Sequence, residues 1–215
     1  MVLAQVTTAL LALVGSSVAA PASEARAVSA GTKYCDAAST ICYSEFTASN
    51  IAFRVAIPDT ATAAPFPVLV QIVAPKATGW AAIAWGGQMA NNPLTVAWAN
   101  GDSVVVSSRL ATGHTLPGAY DGASYTVLPS SKSNATHWQL DAICDGCSKW
   151  AAGSLDPAGT AVPLAYGMSN TAVTEPANNA SRFAIHTAKG KFSSDLSSAK
   201  VADFDALVKK LQGAE

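Results

Sequence analysis

The segment TVAWANGDSVVVSS (residues 95–108) carries the strongest fold signal in this chain of 215 residues. Two short runs, residues 95–98 and 103–108, are rich in Val, Thr, Trp and Ser, and Asn100-Gly101 lies between them. Val, Thr and Trp favour strands, and Asn-Gly supplies the positive φ angles that a tight turn between antiparallel strands requires. The segment therefore predicts a β-hairpin, and with it an antiparallel sheet.

Short apolar runs of the same kind occur along the rest of the chain, and Pro, Gly or Asn residues separate them. The further predicted strands are residues 51–57, 68–73, 80–85, 125–128, 137–143, 162–166 and 182–186. Short strands at such even spacing are typical of an antiparallel β-sandwich. One helix is predicted over residues 197–211, where apolar residues form a single stripe. The predicted fold is an all-β sandwich with a short C-terminal helix.

The start of the chain has the pattern of a secretory signal peptide. Residues 1–20 contain no charged side chain and combine a short apolar run with small residues that end at Ala20. Such a run is too short to span a bilayer and precedes a typical cleavage site. We expect a disordered segment over residues 21–30 and one domain over residues 31–215. The sequence thus predicts a secreted, extracellular protein.

Two sequons agree with export. They lie at Asn134 and Asn179, each followed by a Ser or Thr two residues later. Glycan attachment requires passage through the secretory pathway and an accessible loop. We therefore expect a glycoprotein with both asparagines at the surface.

The overall charge argues against several classes of partner. The formal net charge is -1, and charged residues make up 13% of the chain, about half the usual share. Such a balance provides no basic surface for nucleic acid and no attraction to an anionic membrane. The sequence also lacks the G-x-S-x-G motif of many hydrolases. We expect a monomer that binds neither nucleic acid nor membranes.

The four cysteines lie in two local pairs, Cys35 with Cys42 and Cys144 with Cys147. An even number of cysteines in an exported chain favours disulfide bonds. Three connectivities are possible, and the local one needs the least loop closure. The alternative is a metal site or redox dithiol at Cys144 and Cys147, but no second Cys/His pair has zinc spacing.

The methionines and histidines suggest a cofactor but do not identify its ligands. A thioether and an imidazole together are an axial ligand set for a low-spin haem iron. Because Met1 belongs to the expected signal peptide, the remaining candidates are Met89 and Met168 against His114, His137 and His186. Spacing alone selects none of these six pairs, and a lone Met often serves only as core packing.

Several longer motifs resemble one known family. They are GWAAIAWGGQMANN (79–92), VAWANG (96–101), RLATG (109–113), THW (136–138), CDGC (144–147) and FAIHT (183–187). In this order, over residues 34–196, they are similar to the cytochrome domain of fungal cellobiose dehydrogenase. The resemblance implies an immunoglobulin-like β-sandwich of two antiparallel sheets, with one haem b held at one end.

The resemblance also implies a ligand set. In the family a Met in a Gly-Gly-x-Met loop and a His in a Phe-x-x-His-Thr segment hold the iron, and these positions match Met89 and His186. His114 stands where family members often carry a Tyr that reaches a haem propionate. Met168 is expected to be packing, and His137 to lie in a strand. Candidates for the apolar wall around the cofactor are Trp85, Trp98 and Phe183.

The expected function is electron transfer. With both axial positions filled, the iron has no open site for a substrate. We expect an extracellular haem b protein that takes electrons from a flavin dehydrogenase or a small reductant. Its acceptors would be a copper polysaccharide monooxygenase, a quinone or ferric iron, so a ferric reductase activity is left open. The chain ends at Glu215 without a flavin domain, so we expect no cellobiose oxidation. The alternative is a secreted carbohydrate-binding β-sandwich module without haem.

Overall fold

A computed structural model describes Met1 and residues 29–213. The expected signal peptide beyond Met1 and most of the segment expected to be disordered lie outside these residues. The strands are β1 (Ser29–Ala30), β2 (Thr32–Cys35), β3 (Cys42–Ala48), β4 (Ile51–Pro58), β5 (Val68–Pro75), β6 (Trp80–Trp85), β7 (Pro93–Asn100), β8 (Ser103–Leu110), β9 (Gly118–Ala119), β10 (Ser124–Val127), β11 (Lys132–Ser133), β12 (His137–Asp145), β13 (Lys149–Trp150), β14 (Gly153–Ser154), β15 (Val162–Ser169), β16 (Ala188–Ser194) and β17 (Lys200–Val201). One helix, α1 (Phe204–Leu211), follows them.

Two sheets form the sandwich. The front sheet has the strand order β1-β16-β15-β6-β7-β8-β9, and the back sheet has the order β10-β12-β5-β4-β3-β2, with β11 beside β12. Neighbouring strands are antiparallel, except that β1 runs parallel to β16 and β17 runs parallel to β4. Strands β13 and β14 form a separate hairpin. The predicted antiparallel sandwich with a short C-terminal helix is confirmed.

The main core lies between the two sheets. Ile83 and Trp85 of β6 are fully buried there against the back sheet, together with Phe53 of β4 and Trp138 of β12. Burying one such side chain contributes about 1.5–3 kcal/mol. Because all these strands contribute to one cluster, the interior apolar residues hold the two layers together.

The other face of the back sheet carries a polar ladder and an apolar patch. Glu45, Arg54, Gln71 and Asp141 stand side by side on β3, β4, β5 and β12. Arg54 donates to the Glu45 carboxylate at 2.6 Å, and the Gln71 amide donates to Asp141 at 2.6 Å. This ladder satisfies the polar groups of four strands. The apolar residues of the same face, Tyr43, Ala56, Leu69 and Ile143, are buried with Val201 of β17 and Phe204 of α1, so the helix covers this part of the back sheet.

The eight predicted strands outside residues 182–186 are confirmed, and three longer strands were missed. The prediction for residues 182–186 was wrong: this stretch is irregular, and the strand begins at Ala188. Phe183 of this stretch packs on Trp80 of the front sheet, while Arg182 and Ile185 are exposed. Strands β2, β3 and β16 were not predicted because Lys, Gly, Ser and Glu interrupt the apolar pattern in their sequences.

The chain differs from prediction near both ends. Helix α1 is shorter than predicted because Asp203 has a φ of 49° in the left-handed region, which interrupts a right-handed helix. The preceding Lys200 and Val201 instead pair with Ile57 and Pro58 of β4. At the other end, Ser29 and Ala30 of the segment expected to be disordered form β1 against β16.

Both disulfides have the predicted local connectivity. Cys35 is bonded to Cys42, and Cys144 is bonded to Cys147. The first joins directly paired residues of β2 and β3. The second lies in the core at the end of β12, where both cysteines are fully buried. Among the described residues no cysteine is free.

Gly79 lies directly before β6, at a point where the backbone near Thr171 passes close to it. A Cβ added there would lie 2.2 Å from the carbonyl oxygen of Thr171 and 2.4 Å from its carbonyl carbon. Both are backbone atoms, and the Gly79 amide donates to Ser169 at 2.9 Å. The glycine therefore allows residues near Thr171 to pass closely over the front sheet.

We predict that Gly79→Ala lowers the free energy of unfolding by about 1–3 kcal/mol, because the Thr171 backbone must move to admit the methyl group. Urea denaturation of the purified protein measures this change. Gly118→Ala is the matched control, since an added Cβ meets nothing within 4 Å there, and its effect should stay within about 0.5 kcal/mol. Equal stability of the two variants would contradict the predicted crowding.

Candidate functional site

The front sheet is apolar on the face that points away from the core as well. On β6, Ala81, Ile83 and Trp85 belong to the interior cluster. The alternating residues Trp80, Ala82 and Ala84 belong to a separate buried cluster. Antiparallel sheets commonly leave their second face to water. A second apolar face therefore marks a surface that is built to be covered, and we call it the outer face.

The centre of the outer face carries mostly small side chains. Ala82 stands between Gly167 of β15 and Val96 of β7, while Ala84 stands between Ala165 and Leu94. Residues directly opposite each other in antiparallel strands project to the same side. Their methyl groups make a shallow floor, which Trp80 and Trp98 border at one end. A floor of this shape suits a flat apolar group.

Residues 171–187, the covering segment, pass over this floor. Phe183 packs on Trp80 with ring centroids 4.9 Å apart and planes tilted by 57°. Trp98 is fully buried, and its indole nitrogen donates to the carbonyl of Pro176 at 2.8 Å. Trp98 and Phe183 thus lie on the outer face, as expected for an apolar wall. Trp85 does not, because it faces the interior and donates to Thr95 at 2.9 Å.

Arg109, near the end of β8, holds the covering segment in place by hydrogen bonds. Its guanidinium donates to the carbonyl oxygens of Asn179 and Ser181, each at 2.8 Å, and to that of Pro117 at 3.3 Å. Its Nε also donates to Ser107 at 2.6 Å. Burial lowers the pKa of Arg109 from its usual value, and the ring of carbonyl oxygens offsets the cost of burying the cation. The sequence did not reveal this role.

Met89 reaches the outer face from the loop between β6 and β7. Gly86 and Gly87 both have positive φ, 94° and 83°, which a side chain rarely tolerates. The Asn92 side-chain amide donates to the carbonyl oxygens of Gln88 and Ala90, at 3.1 and 3.0 Å. These bonds fix the loop around Met89, which is half-buried and packs against the outer-face cluster.

His186 reaches the same face from the end of the covering segment. Its Cβ lies 3.7 Å from an ideal Cβ built on Gly167, at the centre of the floor. The next residue, Thr187, is fixed by its amide, which donates to the carbonyl of Met168 at 2.8 Å. Met168 itself is buried in the interior cluster, on the opposite side of the sheet. Met89 and His186 therefore share one face, and Met168 does not.

The other candidates lie around or away from this face. His114 is exposed in the loop after β8, three residues beyond Ala111, which bridges to Ala90 beside Met89. His137 is exposed at the first position of β12 in the back sheet. The sequon residues Asn134 and Asn179 are both exposed, as glycosylation would require.

The residues present fit a haem group better than a free metal ion. The described residues contain no cluster of three or more His, Cys, Asp or Glu side chains that could hold an ion. Met89 and His186 instead offer a thioether and an imidazole above an apolar floor. The buried indole nitrogen of Trp80 also has no hydrogen-bond partner, which costs about 1–3 kcal/mol. A bound group with an acceptor atom beside Trp80 would offset that cost.

Comparison with known proteins points to one family. Residues 34–206 match the family described as the cytochrome domain of cellobiose dehydrogenase. A pyrroloquinoline quinone-dependent pyranose dehydrogenase of Coprinopsis cinerea is 30% identical over 142 residues, which make up 65% of this chain and 20% of that protein. The chain thus spans about a fifth of the length of this curated relative.

Two solved structures share the fold. The cytochrome b domain of the Coprinopsis cinerea pyranose dehydrogenase superposes with a TM-score of 0.79 and 25% identity, over 86% of this chain and 97% of that domain. The cytochrome domain of Myriococcum thermophilum cellobiose dehydrogenase superposes with a TM-score of 0.75 and 22% identity, over 84% of this chain and 96% of that domain. In the part of the chain described here, no helix is long and apolar enough to cross a bilayer.

We predict that Arg109→Lys loosens the covering segment. The ammonium group of lysine lacks the planar guanidinium whose several N–H donors reach three carbonyl oxygens at once. The free energy of unfolding should fall by about 2–3 kcal/mol as buried carbonyls lose their donors. Limited proteolysis should also cut faster within residues 171–187. Arg182→Lys is the matched control at an exposed position. If both variants denature at the same urea concentration, Arg109 does not hold the segment.

Proposed function

The chain belongs to the family of cytochrome domains of cellobiose dehydrogenase, and we propose that it is an extracellular haem b electron-transfer protein. The observation that carries this proposal is the position of Met89 and His186. They come from separate loops, nearly 100 residues apart in sequence, yet both lie on the outer face. A haem b held between them would supply one-electron chemistry at its iron.

In this proposal Met89 and His186 would hold the haem iron through the thioether and the imidazole. A thioether paired with an imidazole favours the reduced iron and raises the reduction potential. Because the two side chains would fill both axial positions, no substrate or oxygen would have an open site on the metal. The site would therefore exchange electrons and leave bond-making chemistry to its partners.

The surrounding residues have supporting roles. Trp80, Trp98 and Phe183 exclude water from the outer face, and the small residues at its centre let a planar group approach the sheet closely. The amide bonds of Asn92 keep the Met89 loop in one conformation. We assign His114 to the edge of the site, where its imidazole would lie close to a haem propionate, since its loop follows directly on the bridge to Ala90.

The proposed electron donor is a sugar dehydrogenase. A flavin dehydrogenase fits the family to which the chain belongs, and the pyranose dehydrogenase relative adds a quinone-dependent enzyme as a second kind of donor. The proposed acceptors are a copper polysaccharide monooxygenase, a quinone or ferric iron. We propose that the protein is secreted and glycosylated at Asn134 and Asn179, both of which are exposed.

We predict that the secreted protein shows a sharp Soret band that shifts when dithionite is added. Met89→Ala should move the ferric spectrum towards high spin and lower the reduction potential, because the thioether ligand is lost. His186→Ala should lose most of the haem. Visible absorption spectra and a redox titration measure these changes.

The matched control is Met168→Ala, which removes a buried thioether from the other side of the same sheet. It should lower stability by about 2–5 kcal/mol and leave the spectrum unchanged. A low-spin spectrum that survives Met89→Ala but is lost in Met168→Ala would reverse the assignment. A wild-type protein without any Soret band would favour the carbohydrate-binding alternative.

A further inference from the structure

A groove opens on one side of the sandwich, between the rims of the two sheets. Its volume is about 540 Å³, within the range of about 300–1,000 Å³ that is usual for pockets that hold small ligands. Its lining comes from residues within 104–108 of β8, from residues within 123–127 at and before β10, and from residues 177–179 of the covering segment. Neither Met89 nor His186 lines it, so the proposed electron-transfer function leaves this groove unassigned.

The backbone of β8 is unpaired where it lines the groove. The Tyr120 amide donates to the Ser108 carbonyl at 3.1 Å, so Ser108 turns its backbone groups away from β7. Alternate residues of a strand share this direction, so the amides and carbonyls of Val104 and Val106 point the same way. Strand β9 covers only the last two residues of β8, and no other strand of the described chain pairs with β8 on this side. Val104 and Val106 therefore present free donors and acceptors to an occupant of the groove.

The rest of the lining mixes apolar and polar groups. Val127 of β10 is 42% exposed and Val106 is half-buried, so methyl groups lie beside the free backbone groups. The Ser108 hydroxyl is buried and has no hydrogen-bond partner among the described residues. Because buried polar groups need partners, the occupant that suits this lining combines an apolar C–H surface with hydroxyl and amide groups. Sugars that carry N-acetyl groups have this combination.

Asn179, one of the two sequon asparagines, is itself part of the lining. Its carbonyl oxygen accepts hydrogen bonds from the Ser107 hydroxyl at 2.5 Å and from Arg109 at 2.8 Å, which holds its backbone against β8. The neighbouring Asn178 turns its side-chain amide back to Glu175 at 2.8 Å, whereas the side chain of Asn179 is exposed. A glycan attached to Asn179 therefore starts beside the groove from a fixed point.

We propose that the groove binds the first N-acetylglucosamine residues of the glycan carried by Asn179. This inference rests on the glycosylation in the proposed function and adds an intramolecular sugar site to it. The acetamide and hydroxyl groups of the sugars pair with the free backbone groups of Val104 and Val106. The C–H faces of the sugar rings pack on Val127 of the opposite wall.

Covalent attachment makes this binding intramolecular. A sugar joined to Asn179 is held beside the groove at a high effective concentration, so a few weak contacts are enough to keep it there. The bound sugars link the covering segment to β10 across the open side of the sandwich. They add to the hold of Arg109, which fastens the same segment to β8. They also cover part of the open β8 edge, which would otherwise accept a strand from another molecule.

Hydrogen exchange on the full glycosylated protein measures the contact directly. The amides of Val104 and Val106 should exchange about tenfold faster in Asn179→Gln than in the wild type, because they lose their partners and their cover. Asn134→Gln is the matched control, since it removes the other glycan and Asn134 does not line the groove; exchange of the same amides should stay at the wild-type rate. Equal exchange in the wild type and Asn179→Gln would overturn the proposal.

A second variant tests the opposite wall. Val127→Ala should speed the exchange of Val104 and Val106 in the glycosylated protein, because the sugar rings lose part of their apolar contact. It should add nothing in the Asn179→Gln background, where no sugar occupies the groove. Thr126→Ala is the matched control at the adjacent exposed position of β10, which does not line the groove. Equal acceleration by Val127→Ala in both backgrounds would show a role in the sheet alone and overturn the proposal.

Further readouts separate this inference from the proposed electron transfer. Peptide mass spectrometry reports whether Asn179 carries a glycan, and an unmodified Asn179 would overturn the inference while the Soret band still tests the haem. Glycan-dependent protection of Val104 and Val106 in a protein without a Soret band would support the sugar site and contradict the electron-transfer function. Protection that rises with protein concentration would assign the groove to a second copy of the chain and overturn the inference.

Discussion

A sheet with two apolar faces must be covered on both sides, and this constraint organises the molecule. The inner face of the front sheet packs against the back sheet, while the outer face depends on residues 171–187. The back sheet meets the same constraint in another way: the polar ladder from Glu45 to Asp141 faces outward, and the apolar residues beside it are buried under Phe204 of α1. Arg109 therefore has a large effect for a single residue, since it holds residues 171–187 over the outer face.

The sequence predicted the sandwich well because most strands are short, apolar and bounded by turns. It failed where tertiary contacts decide the conformation. Residues 182–186 have the composition of a strand, yet they remain irregular, and Phe183 packs on the ring of Trp80. Strand β16 has little strand composition, but it forms because β15 offers a full row of backbone partners.

The site was predictable only in part. The Met and His residues of the sequence left six possible ligand pairs, and the resemblance to a known family selected Met89 and His186. The structure adds on which face of the front sheet each of these residues lies. Trp80 and Trp85 lie five positions apart on β6, so alternation sends them to opposite sides, but the sequence does not say which side is the interior. The buried role of Arg109 depends on carbonyls about 70 residues away, which no local pattern records.

The short strands at the two ends of the front sheet have a consequence for the protein at high concentration. Strand β1 covers β16 with two residues, and β9 covers β8 with two. A long open edge recruits strands from other copies, which leads to aggregation. Among the described residues, no strand pairs with the rest of either rim, so a stretch of β16 and a longer stretch of β8 stay open. At the β16 rim the exposed Lys189 and Lys191 repel their counterparts on another copy, and charge of this kind opposes pairing between sheet edges.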